Sequence, residues 1–200
     1  SGLERPETGN VYLDGREITG VPGNVSYMLQ KDMLLPYRTI EDNVALPLLI
    51  KGEKKKAARE KVQPYFQEFG LEGTQKKYPG QLSGGMRQRA ALLRTYLFSQ
   101  KLALLDEPFS ALDTLTKSAM HKWYLQVMEQ IHLSTIFITH DIDEAVLLSD
   151  RIYLLTGRPG RITEEIHIRE PRPRRSDFNL TDEFLSYKRQ ILEKLDMGQE

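Results

Sequence analysis

Asp106 and Glu107 close an apolar run, Leu102-Ala103-Leu104-Leu105, and stand where carboxylates could hold a hard cation and polarise an attacking water. If the run is a strand of a parallel sheet, both lie beyond its carboxyl end, where open α/β sheets bind ligands. Ser83, Gly84 and Gly85 sit in the string LSGGMRQR at 82–89. At a helix start, their hydroxyl and backbone N–H groups suit an anion, and the absent Cβ atoms let a phosphate approach. His140, after a second apolar run, could donate to a terminal phosphate oxygen or orient a water. Gln30 could reach a metal or its water through an amide oxygen, and Asp113 closes the string Ser110-Ala111-Leu112-Asp113. Each has an ordinary counterpart: a solvated acidic pair, a glycine turn after Pro79-Gly80, a hydrogen-bonded loop histidine, a helix cap at Asp113. No G-x-x-x-x-G-K-[ST] phosphate loop occurs in the 200 residues.

The elements that must position these residues are legible from periodicity. Asn10 to Leu13 reads as a strand ending in an Asp14-Gly15 turn, and Val25 to Leu29 as a second strand with Gln30 at its end. Thr39 caps a helix reaching about Ile50, kinked or broken at Pro47. Lys54 to Phe69 carries apolar residues at helical steps, with Pro64 inside its second half and Gly70 closing it. Met86 to Phe98 is an apolar helix. Thr114 to Ile131 is another, striped by Leu115, Ala119, Trp123, Val127 and Ile131. Leu102–Leu105 and Thr135–Thr139 read as strands buried on both faces. A short helix over 141–149 and a third strand, Arg151–Leu155, complete a strand–helix–strand–helix–strand series, which predicts a parallel α/β sheet. Residues 169–175 read as a solvated linker, and Thr181 to Leu195 as an amphipathic helix carrying Phe184, Leu185, Ile191, Leu192 and Leu195.

Composition narrows the class. Lys plus Arg equals Asp plus Glu at 28 each, so no bulk charge points to nucleic acid or an acidic membrane. Arg158, Arg161, Arg169, Arg172, Arg174 and Arg175 lack the aromatic interleaving of a nucleic-acid surface. The absence of cysteine excludes disulfides and thiolate metal sites. The longest apolar stretch, Val44 to Ile50, is far short of a membrane span.

The order of the motifs decides between the ordinary and the chemical readings. Gln30 after a strand, a helical insertion, LSGGMRQR, LALLDEP, SALD and ITHD resemble, in that order, the Q-loop, signature, Walker B, D-loop and switch histidine of an ABC ATPase nucleotide-binding domain. The segments 29–32, 34–39, 41–44, 158–162 and 171–174 resemble importer ATPases of the nitrate/sulfonate/taurine group, whose relatives also serve thiamine-precursor uptake.

The resemblance implies an α/β fold, a P-loop NTPase-like parallel sheet core lacking its N-terminal strands, with an inserted helical subdomain. Residues 1–36 correspond to part of the ATPase core and 37–95 to the helical subdomain ending in the signature. Residues 96–168 correspond to the RecA-like core and 169–200 to a C-terminal linker and helix. The implied activity is hydrolysis of ATP with Mg²⁺ in a head-to-tail dimer, driving uptake of a small anionic or related solute.

Implied roles follow residue by residue. Asp106 supports the metal with Gln30, Glu107 is the general base, and His140 meets the γ-phosphate. Ser83, Gly84 and Gly85 cap the nucleotide of a second ATPase subunit, and Asp113 contacts that subunit. Transmembrane permease subunits, and indirectly an extracytoplasmic solute-binding protein, are the other implied partners, with no nucleic acid, at the cytoplasmic face of the membrane. The first residues resemble the segment after the phosphate loop, which places the loop lysine roughly ten residues before Gly2. The chain alone is therefore expected to bind ATP poorly and to be inactive. A soluble non-transport ABC ATPase and a non-hydrolysing regulatory fragment share the motifs and remain the competing readings.

Overall fold

A computed structural model describes residues 1–99 and 101–197. Tertiary contacts divide the chain into two compact units: Ser1–Met120 with Gln130–Ile138, and His121–Glu129 with the chain from Thr139 onward.

The first unit opens with a hairpin of β1 (Tyr12–Leu13) and β2 (Arg16–Glu17). Asp14 and Gly15 turn it with φ of 51° and 76°, as a two-residue hairpin turn requires. The sequence reading lacked β2, which is two residues long and without apolar alternation. Its sheet is parallel, in the order β3 (Ser26–Met28), β4 (Leu102–Asp106), β5 (Ser134–Ile138). The pleat sends Met28, Ala103 and Leu105 into the core. The opposite face is not buried as expected: Ile136 and Ile138 are more than half exposed, and Leu104 and Asp106 partly so. A continuous apolar run does not by itself say how many of its faces are covered.

Helices fill the rest of this unit. The helix foreseen from Thr39 is two, α1 (Ile40–Val44) and α2 (Leu46–Ile50), parted at Ala45. Pro47 cannot donate to the carbonyl four residues back, so the ladder ends and restarts with proline in the first turn of α2. In contrast, α3 (Lys55–Glu68) runs straight through Pro64, burying Ala58, Val62 and Phe66. After a 3₁₀ turn at Pro79–Gln81 comes α4 (Gly84–Phe98).

Two acidic residues of α1 are buried and ion-paired. Asp42 accepts from Arg59 Nε at 2.7 Å and Nη2 at 2.9 Å, while Glu41 meets Arg59 and Lys76. The Arg59 hydrogen bond, outweighing desolvation, holds the Asp42 carboxyl below its ordinary value. A depressed native pKa adds stability at neutral pH that is lost as pH falls through that pKa. Asp42→Asn is therefore expected to cost about 2 kcal/mol at pH 7, with the difference from wild type shrinking below pH 4. Urea unfolding at pH 7 and pH 3 checks this; an equal difference at both would count against the ion pair.

The long helix α5 (Thr114–Ile131) buries Met120, Trp123, Tyr124 and Val127. Leu115 and Ala119, expected in its apolar stripe, are exposed, Leu115 at 84%; burial begins at Met120, which is off that stripe.

The second unit has its own core. Strand β6 (Arg151–Thr156) does not extend the parallel sheet as predicted; it pairs antiparallel with β7 (Arg161–His167). The sequence reading missed β7, whose charged residues mask its alternation. Val146 of α6 (Ile142–Leu148), Ile152, Leu154, Ile166, Ile168 and Phe178 pack with Phe184 and Ile191 of α7 (Asp182–Met197). Residues 169–175 are mostly exposed, as a linker is, but three of their arginines are fastened to the unit. Arg172 bonds Asp150 and the Leu148 carbonyl, Arg174 bonds the Ser149 carbonyl, and Arg175 pairs with buried Glu170. Among the described residues no helix is long and apolar enough to cross a membrane.

Candidate functional site

Strand register brings two of the predicted residues together. Met28 pairs with Leu105, so Gln30 and Glu107 each lie two residues past a matched position. Gln30 Nε2 donates to Glu107 Oε2 at 2.9 Å and lies 3.4 Å from Ser110 Oγ. A carboxylate only accepts, so the amide nitrogen must face it and the amide oxygen is the end suited to a cation or water.

Glu107 is built into its place. Its φ is 45°, the left-handed region that an L side chain enters at a cost of about 1 kcal/mol. Its N–H donates to the Ile138 carbonyl at 2.9 Å, and its carbonyl accepts from the Ser110 N–H and hydroxyl. Phe109, 2% exposed, packs on Phe137 with centroids 5.8 Å apart and anchors the turn. A left-handed backbone held by three hydrogen bonds closes the strand at Glu107, whose carboxylate meets Gln30.

Asp106 accepts from the Tyr27 hydroxyl at 3.1 Å. Desolvation first, then the hydrogen bond and charge of Asp106, push the phenol above its ordinary value, so it stays a donor. Sequence reasoning missed Tyr27 and Ser110. Tyr27 pairs with Leu104, and so shares a face with Asp106, only in this register.

Gln30 is also tied to the helices. Asp32, two residues on, accepts from Arg87 Nε at 3.2 Å, and Arg94 donates to the Asp32 and Met33 carbonyls. Buried Asn43 bonds the Leu35 N–H and the carbonyls of Leu35, Arg38 and Thr39. Residues 30–39 thus run from the carboxylates to α1 and α4 with little slack.

The glycine pair is closely packed by side chains. Ser83 caps α4, accepting from the Met86 N–H at 3.3 Å. A Cβ on Gly84 would lie 3.3 Å from Leu112 Cδ2, and one on Gly85 3.3 Å from Thr116 Cγ2 and 3.4 Å from Met120 Sδ. Ser83, Gly84 and Gly85 therefore lie against the segment holding Asp113. Asp113 caps α5, its carboxylate accepting from the Thr116 N–H at 3.0 Å and hydroxyl at 2.6 Å. Those bonds, the hydroxyl's first, hold its carboxyl below the ordinary value. His140 belongs to the second unit, exposed, between Thr139 and the α6 cap Asp141.

The donor set fits magnesium bound with a nucleotide. That ion keeps its waters and takes one or two carboxylates plus substrate phosphates, rather than an all-protein cage. The Asp106 carboxylate and the Gln30 oxygen would supply such a partial set.

Comparison with known proteins points the same way. Residues 1–110 match the ABC transporter family. The chain is 46% identical over 166 residues to the formylaminopyrimidine import ATP-binding protein of Halalkalibacterium halodurans, covering 83% of this chain and 64% of that protein. It is 35% identical over 198 residues to an aliphatic sulfonates import ATP-binding protein of Bacillus cereus, covering 99% and 76%. The chain thus spans less than two thirds of the length of the first of these. A solved dimeric ATP-binding cassette in a post-hydrolysis state, bound to ADP and Pi, superposes with a TM-score of 0.67 at 27% identity, covering 84% of this chain and 77% of the cassette.

Proposed function

Because the chain belongs to the ABC transporter family, we infer that it is the ATP-binding subunit of an importer and that the whole protein hydrolyses Mg-ATP as half of a head-to-tail dimer. The observation that carries this reading is the Gln30–Glu107 hydrogen bond beyond the matched ends of two parallel strands, beside Asp106.

In this reading Glu107 accepts the proton of the attacking water, and Gln30 keeps its carboxylate aimed. The Tyr27 hydroxyl fixes the rotamer of Asp106, whose carboxylate, with the Gln30 oxygen, would hold the metal. Magnesium, when bound, neutralises charge on the phosphates. His140 donates to the γ-phosphate. Ser83, Gly84 and Gly85 offer a capped helix start to the nucleotide of the second subunit, and Asp113 faces that subunit. Residues 37–95 form the subdomain that meets the transmembrane permease subunits at the cytoplasmic face of the membrane, with a solute-binding protein acting indirectly. The tether from Gln30 to α1 and α4 supports a link between nucleotide state and that subdomain. The solute is a small anionic or related one of the nitrate, sulfonate, taurine or thiamine-precursor type, a reading supported by the names of the formylaminopyrimidine and aliphatic sulfonates relatives.

A dimerisation experiment tests this reading. With a non-hydrolysable ATP analogue, the whole protein is expected to double its molar mass in light scattering, and with ADP to remain a monomer. Ser83→Arg, at an exposed helix cap, is expected to abolish the doubling for about 1 kcal/mol of stability. Doubling that survives Ser83→Arg would remove the signature from the dimer contact.

A further inference from the structure

Behind His140 lies a chain of polar groups that no role above uses. Glu144, in the first turn of α6, is 2% exposed. Its Oε2 accepts from the Thr139 hydroxyl at 2.7 Å, and its Oε1 lies 3.1 Å from Nε2 of His121, a residue only 7% exposed on α5. The same Thr139 hydroxyl accepts from the Asp141 N–H at 2.9 Å. The Asp141 carboxylate in turn accepts from the N–H groups of Asp143 and Glu144. Both neighbours of His140 in the sequence are therefore tied, through one hydroxyl, to one buried carboxylate.

The geometry points to His121 and Glu144 as positioning residues for His140. An ionised carboxylate only accepts, so His121 must present Nε2–H to Glu144. A buried carboxylate deprived of one of its donors is driven to protonate or to turn toward water. Either change alters its bond to Thr139, and the Thr139 hydroxyl is what pins the Asp141 N–H. Glu144 is not needed to cap α6, because Asp141 already does so. Its burial against a histidine of another helix is explained by the loop it holds. Neither His121 nor Glu144 touches substrate in this scheme; they set where the His140 imidazole stands.

The inference rests on the proposed role of His140, and a double-mutant cycle in the whole protein separates the two. His140→Ala is expected to lower kcat for ATP hydrolysis by about 10²-fold. His121→Leu is expected to lower kcat about tenfold, with KM for ATP changed less than twofold, and His121→Gln, which keeps an N–H donor, to recover most of that loss. If His121 acts through His140, adding His121→Leu to His140→Ala lowers turnover no more than about twofold further. Losses that multiply to about 10³-fold would mark the chain as merely structural and overturn the inference. Turnover unaffected by His140→Ala alone would overturn both, and identify the reading of His140 as the one that failed. Should His121→Leu not fold, the near-isosteric Thr139→Val runs the same cycle with the same deciding outcomes.

Discussion

Glu107→Gln in the whole protein is expected to lower the turnover of ATP by about 10²- to 10³-fold while leaving ATP affinity within a few-fold, so that an ATP-bound dimer accumulates. The structure makes this substitution a test of chemistry rather than of folding. Glutamine matches the size of glutamate, its amide oxygen can accept the same hydrogen bond from Gln30 Nε2, and the left-handed backbone at φ 45° is no worse for it. The bonds to the Ile138 carbonyl and from Ser110 are made by the backbone of residue 107 and survive. What is lost is the charge and the proton-accepting oxygen. Steady-state hydrolysis and light scattering with ATP check the two halves of the expectation. Turnover within threefold of wild type would remove Glu107 from the role of base and leave it a strained structural residue.

Phe178→Ala is expected to cost about 3–5 kcal/mol, a large share of the 5–15 kcal/mol that holds an ordinary domain folded. Phe178 is fully buried and packs edge-to-face with Phe184, centroids 5.3 Å apart and planes at 90°. The Arg174 guanidinium lies 5.8 Å from its ring centre, with that side chain 1% exposed and its Nε and Nη1 buried without a hydrogen-bond partner. Removing the ring leaves a cavity and takes away the π face that partly offsets those buried donors. Urea unfolding followed by far-UV circular dichroism measures the loss. A shift below 1 kcal/mol would mean that the segment around 170–180 is not part of the core.

The two substitutions fall on opposite sides of what could be read in advance. The place of Glu107 just past the end of a strand was legible because its neighbours in sequence are also its context: an apolar strand, then two carboxylates and a proline. Phe178 was not, since a lone aromatic between a run of arginines and prolines and a helix has no periodicity to reveal where it packs. The same holds for the arginines before it. Arg172 and Arg174 look solvated by composition, yet their partners are carbonyls and a carboxylate at 148–150, over twenty residues away. In α7, Phe184 and Ile191 are buried, while Leu185 and Leu192, one step off that face, are more than 40% exposed. An amphipathic pattern locates a face only to within one residue.

What the sequence determined by itself was the order of chemical parts along the chain and the type of element each terminates. Local effects govern both: strands end at turn residues, helices begin at caps, and carboxylates, amides and glycines have fixed chemistry wherever they stand. What only the tertiary structure decided was which parts meet. Gln30 reaches Glu107 because of a strand register set 77 residues apart, Tyr27 reaches Asp106 by the same register, and Leu112, Thr116 and Met120 lie close against Gly84 and Gly85. Register and close approach are properties of pairs of segments, fixed by the packing of the core between them, and a single string of residues carries them only implicitly.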